Sequence, residues 1–118
     1  MEQKSQKTEK MAATGPNHTE LVKAIVYQFN KSGKCFVWGN NTGALKAGSG
    51  RLVRFGLVGS PDIIGFDRQG RFIAVECKTG TGRLTSYQKD WWDKAAEAGV
   101  NGIVARDIHH ALDFLNSL

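Results

Sequence analysis

The stretch PDIIGFDRQGRFIAVECKT, residues 61–79, decides the fold. Ile63, Ile64 and Phe66 form a short strand-like run after Asp62, and Asp67-Arg68-Gln69-Gly70 has the composition of a tight hairpin turn. From Arg71 to Lys78 the side chains alternate, with Phe72, Ala74, Glu76 and Lys78 on one side and Ile73, Val75 and Cys77 on the other. The segment therefore predicts two antiparallel strands. Their pairing brings Asp62, at the start of the first strand, beside Glu76 and Lys78, near the end of the second. Asp62 and Glu76 are fourteen positions apart, and Glu76 and Lys78 are two apart, which puts the last two on one strand face. Two carboxylates brought together repel unless a cation sits between them, and hard oxygen ligands favour Mg²⁺ or Mn²⁺. A lysine beside that cation can orient an attacking water or stabilise charge developing on a phosphate.

On the N-terminal side, Leu21, Val22, Ile25, Val26 and Phe29 recur at helical spacing between Thr19 and Lys31, with Asn17 or Thr19 as cap and Ser32-Gly33 as stop. Cys35 to Trp38 is a short strand. A glycine-rich loop follows, with a further strand from Arg51 to Leu57. On the C-terminal side, Thr85 and Gln88 make a capping box for a helix from Ser86 to Ala98, and Gly99 stands at its C-cap. Gly102 to Arg106 reads as a strand, and Asp107 caps a last helix through Leu115. The order α-β-β-β-β-α-β-α predicts an α/β domain with a mixed β-sheet flanked by helices. Residues 1–17 hold almost nothing to bury and read as a disordered tail, leaving 18–118 as a single domain.

With 118 residues, 41% hydrophobic and 23% charged, the chain has a globular balance, and no apolar run approaches the ~18 residues of a membrane span. No membrane partner is expected. Sixteen Lys and Arg stand against eleven Asp and Glu, and without the first eighteen residues thirteen still stand against nine. A small basic domain suggests a polyanionic partner. Between Leu21 and Pro61 there is no Asp or Glu, whereas Lys23, Lys31, Lys34, Lys46, Arg51 and Arg54 all fall there. That stretch reads as a mobile, glycine-rich strip suited to a phosphate backbone. Cys35 and Cys77 are far apart in sequence and form no C-x-x-C, which argues against a zinc site or disulfide framework and for a reducing, cytoplasmic setting. Lys78 lacks the preceding glycine of a P-loop, and Gly80-x-Gly82 lacks the third glycine of a dinucleotide fingerprint, so no nucleotide cofactor is indicated.

Pro61-Asp62 followed by Glu76-Cys77-Lys78 resembles the PD-(D/E)xK nuclease superfamily. The longer series narrows the likeness: Arg54 to Gly65, then Val75 to Thr79, then Gly82-Arg83-Leu84-Thr85 and Gln88. In order, these pieces resemble the VRR-NUC branch in its short, stand-alone form common in phages and prophages. The resemblance implies a restriction-endonuclease-like core and a divalent-metal-dependent DNA endonuclease, structure-selective for junction, branched or nicked DNA. It implies that Asp62 and Glu76 bind the metal, that the backbone carbonyl of Cys77 completes the protein ligands, and that Lys78 positions the water. Gln88 stands where the branch places a further polar residue, and Glu20 where it carries an acidic residue on its first helix. Lys46, Arg51, Arg54 and Arg83 are the expected DNA contacts. Size and the stand-alone form together suggest a homodimer, acting in the host cytoplasm if phage-encoded.

Each of these residues also has a plainer role. Asp62 could cap a turn, Glu76 and Lys78 could be a solvated surface pair, and Gln88 is explained by its capping box. Glu20 gains from the helix dipole without any site. Trp91 and Trp92 read as packing residues, His109 and His110 point to different sides of a helix, and His18 falls in or near the tail. The alternative for the whole chain is a catalytically silent, basic DNA-binding module with a nuclease fold.

Overall fold

A computed structural model describes residues 16–118. Its centre is the predicted hairpin: β4 (Ile63–Asp67) and β5 (Phe72–Cys77) pair antiparallel, Ile63 opposite Val75 and Phe66 opposite Phe72. Asp67 builds the turn. Its Oδ1 accepts the N–H groups of Gln69 and Arg71, each at 2.9 Å, and its Oδ2 accepts from Arg71 Nε at 2.7 Å. The Arg71 main-chain bond, with the Arg71 side chain and the Gln69 N–H, holds this carboxyl below its usual range despite burial.

Around that hairpin, β1 (Cys35–Gly39) pairs antiparallel with β4, and β6 (Asn101–Ala105) pairs parallel with β5, giving the order β1-β4-β5-β6. A parallel pair needs a crossover, and α2 (Ser86–Ala98) supplies it. Both arms of its capping box form: Thr85 Oγ1 accepts from Gln88 N at 3.2 Å and Gln88 Oε1 from Thr85 N at 2.9 Å. Gly99 closes the helix in the left-handed region, as predicted. The first helix, α1 (His18–Lys31), is capped by Asn17, whose Oδ1 accepts from Glu20 N at 2.8 Å. The last, α3 (Ile108–Asn116), is capped by Asp107.

One sheet face carries α1 and α3. Leu21, Ile25 and Phe29 from α1 and Ala111 and Leu115 from α3 pack on Val37, Ile63, Ile73, Val75, Cys77 and Ala105. Phe29 stacks on Phe114 at 6.3 Å. The Asn30 side chain bonds both polar groups of Val37, at 2.8 and 2.9 Å, tying the end of α1 to β1. Against the opposite face lies α2, where Trp92 covers Gly102. A Cβ at that glycine would stand 2.6 Å from the indole and 2.8 Å from Ala74 O, so a side chain has no room there. The result is three layers, a mixed sheet flanked by helices. The β1 and β4 half of the α2 face is left bare.

The sequence pattern misses one strand. Within the glycine-rich stretch, β2 (Gly43–Lys46) pairs antiparallel with β3 (Leu52–Phe55), so the observed order is α-β-β-β-β-β-α-β-α. Each strand is four residues long, and Gly-Ala-Leu-Lys has no apolar run to mark it. Only pairing across the Ala47–Gly50 turn makes it a strand. The expected mobile strip is therefore a two-stranded ribbon. The expected disordered tail lies outside the described residues up to position 15; Asn17, its last residue, caps α1. No helix among the described residues is long and apolar enough to cross a membrane.

Candidate active site

The start of β4 and the end of β5 meet at one end of the sheet. Continuing the Ile63–Val75 register places Asp62 opposite Glu76. The Asp62 N–H donates to Glu76 Oε2 at 3.2 Å, and the Cys77 N–H donates to Asp62 Oδ2 at 2.8 Å. That same Oδ2 lies 3.1 Å from His18 Nε2, so the imidazole nitrogen facing it carries the hydrogen. Each carboxylate thus has one oxygen tied to the protein. With both groups ionised, Asp62 Oδ1 and Glu76 Oε1 accept no hydrogen bond from the described residues, and Glu76 Oε1 is buried.

Glu76 is 1% exposed. Burial pushes its carboxyl up to about 8; a hydrogen bond that the protonated group gives to the Asp62 side chain and then the Asp62 charge add to the rise, while the Lys78 charge and the Asp62 N–H oppose it. A buried, unpartnered carboxylate oxygen costs free energy unless something of opposite charge meets it. Two unengaged carboxylate oxygens on adjacent strands are a hard-donor set that fits Mg²⁺ or Mn²⁺. Among the described residues no group of three or more His, Cys, Asp and Glu side chains is placed to hold a metal ion; Asp62 and Glu76 are a pair. The Cys77 thiol is buried in the core, and burial, then the Asp62 and Glu76 charges, pushes it up to about 12; it is neither nucleophile nor ligand.

Lys78 follows on the Glu76 side of the strand, half-buried, its N–H anchored on Ala105 O at 3.0 Å. Gln88 spends its Oε1 on the capping box, which leaves its amide nitrogen without a partner among the described residues. Glu20 forms no metal-holding group of three with Asp62 and Glu76. It is exposed, two positions after His18, and i,i+2 residues do not share a helix face.

Two residues that matter here have no local sequence signal. His18 touches Asp62 from 44 positions away. Asn40 clamps the segment that carries Asp62: its Nδ2 donates to Ser60 Oγ at 2.8 Å and Pro61 O at 2.9 Å, and its N–H to Asp62 O at 2.7 Å. Gly59 seats the same segment on α2. Its φ is +89°, and a Cβ would lie within 3 Å of the Tyr87 carbonyl carbon and oxygen. Beside Asp62 a cleft of ≈ 280 Å³ is lined in part by His18, Lys23, Asn40 and Asn41.

Of the basic residues, Lys46 and Arg54 lie on one face of the β2–β3 ribbon, because Ala44 pairs with Arg54 and Lys46 with Leu52. Arg51 is exposed at the foot of β3, and Arg83 is exposed before α2, next to Gly82, whose carbonyl accepts from Arg106 Nη1. Lys34 leaves the basic strip: its Nζ reaches the C-terminal carbonyls of α3, Leu115 O at 3.5 Å and Asn116 O at 3.4 Å.

Residues 17–107 match the family model of the VRR-NUC domain, a span running from the α1 cap to the α3 cap and containing every residue of the site described above. No curated protein matches the chain at a significant level.

Proposed function

The chain belongs to the VRR-NUC family, a nuclease family, and on that ground we propose that it is a divalent-metal-dependent DNA endonuclease. The observation that carries the reading is the buried, unpartnered Glu76 Oε1 beside the unengaged Oδ1 of Asp62. Asp62, Glu76 and the main-chain carbonyl of Cys77 would hold Mg²⁺ or Mn²⁺. When bound, the cation supplies positive charge against the phosphate oxygens on which negative charge builds. Lys78 orients the attacking water and adds a second positive charge at the phosphate. The free amide nitrogen of Gln88 donates to the same phosphate. Glu20 stays outside this set.

Lys46, Arg51, Arg54 and Arg83 neutralise flanking phosphates, so affinity falls with salt. A domain of this size has a narrow footprint, and two copies related by a two-fold present two sites to two strands or two arms. That arrangement favours junction, branched or nicked DNA over plain duplex.

The test is cleavage of labelled supercoiled, linear and four-way-junction DNA with Mg²⁺, Mn²⁺ or EDTA, against a Glu76→Ala control. Cutting that needs metal and disappears in the control supports the enzyme. Retention of DNA without cutting under either metal makes the chain a silent binding module.

A further inference from the structure

The α2 face of the sheet is covered only over β5 and β6. On its other half the outward positions of β1, β4 and the start of β5 are Phe36, Trp38, Ile64, Phe66, Phe72 and Ala74, without one charge. Phe36, Trp38 and Phe66 form a cluster with ring centroids 5.7, 5.9 and 6.2 Å apart, and Phe72 stands opposite Phe66. The four aromatics are 42–55% exposed. The β2–β3 ribbon adds a second bare apolar face. Its pairs Gly43–Phe55 and Leu45–Val53 point one way, and the pairs that carry Lys46 and Arg54 point the other. Leu45, Val53 and Phe55 are all exposed. A two-stranded ribbon is marginal in water unless its apolar face packs on something.

The two faces do not cover each other within one chain, since both remain exposed. At ~200 Å² per aromatic ring, half-exposed, the cluster and the ribbon together leave roughly 650 Å² of apolar surface. With both faces given to one partner, this approaches the ~800 Å² that each side gives a standard interface. An uncharged face offers a phosphate backbone nothing to bind. A second copy of this chain offers it the uncharged side of a ribbon of matching width: about four residues, or ~13 Å, of strand against three strands spaced ~5 Å apart.

We infer that this half-face is the interface with a second copy of the chain: the apolar side of each β2–β3 ribbon lies across Phe36, Trp38 and Phe66 of the other copy. A two-fold axis buries both ribbons and both clusters at once. The basic side of each ribbon, with Lys46 and Arg54, then faces outward, where DNA reaches it. The ribbon leaves the sheet between Gly39 and Ile63, at the end that holds Asp62. The inference rests on the two-copy reading above and names the surface that serves it.

Sedimentation velocity at micromolar concentration tests it on the full chain, using wild type, Leu45→Glu and Phe66→Glu, with circular dichroism as the check on folding. The expected result is a wild-type mass twice 12.9 kDa and 12.9 kDa for each variant. Mixing Leu45→Cys with Phe36→Cys protein under oxidation gives the cross-linked pair, and neither gives that pair alone. Leu45 lies on the exposed ribbon, away from the core, so its variant remains informative if Phe66→Glu fails to fold. A dimer that survives Leu45→Glu overturns the surface and leaves the two-copy reading standing. A monomeric wild type overturns both. Variants that stay dimeric while losing DNA retention in EDTA assign the face to DNA and overturn the inference.

Discussion

Asp62 and Glu76 hold each other through the main chain: the Asp62 N–H donates to Glu76 Oε2 across 3.2 Å, and the N–H of the residue after Glu76 returns to Asp62 Oδ2 at 2.8 Å. The hairpin register thereby fixes both carboxylates without ordering two flexible side chains separately. It spends one oxygen of each and leaves the other unengaged. In the absence of a cation this is a costly arrangement, and the cost is measurable.

Glu76 is raised to about 8 from an ordinary 4.5. A raised carboxyl favours the folded state when protonated, so its contribution is complete below about pH 4.5 and is lost as the pH climbs through about 8. In EDTA the wild type should lose up to about 1.4 kcal/mol of stability for each pH step of one across that window, read as a falling melting temperature. Glu76→Gln should flatten the curve and melt above wild type at pH 9. A wild-type melting temperature that is level from pH 5 to 9 would count against the buried, unpartnered carboxyl.

In the proposed mechanism, holding the cation and orienting the water would fall to different side chains. Lys78→Met should leave Mn²⁺ binding, measured by calorimetry, near wild type, while cleavage drops on the order of 10²–10³-fold. Asp62→Asn should lose both. If Lys78→Met also loses Mn²⁺ binding, the division of labour is wrong.

Asn40 acts through the segment it clamps. Removing its two side-chain bonds to Ser60 and Pro61 in Asn40→Ala should cost about 1–2 kcal/mol in a denaturant titration. Mn²⁺ affinity should fall with it, because the Asp62 main chain is less firmly held. Asn40→Asp has no donor for Pro61 O or for Ser60 Oγ, whose own hydrogen goes to Leu57 O, and should restore little. Undiminished Mn²⁺ affinity in Asn40→Ala would leave Asn40 with a purely structural part.

Gly59 has no room for a side chain and a backbone angle of +89°. Gly59→Ala must push the Ser60–Asp62 segment off α2, and should cost at least ~1 kcal/mol while lowering cleavage more than it lowers stability. Wild-type cleavage in that variant would mean that the α2 contact does not position Asp62.

Where the chemistry depends on neighbours along the chain, the sequence is readable. The alternation from Arg71 to Lys78, the Asp67-to-Gly70 turn and the Thr85–Gln88 box are local, so both strands, the crossover helix and the Asp62–Glu76 pairing can be placed from residue order alone. Lys34 shows the opposite case. It sits in an acid-free run that looks like one basic strip, yet the fold carries it to the C-terminus of α3, at the other end of the sheet from Asp62.

The central hairpin and the two carboxylates facing each other across it are thus written in residue order, because strand period and turn chemistry act within a few residues. Packing in three dimensions settles the remainder: that His18 meets Asp62, that Asn40 holds its main chain, that Gly43–Lys46 is a strand, and that half of one sheet face stays bare. Each depends on which elements pack on which face, and such contacts link residues far apart in the chain with no periodicity to announce them.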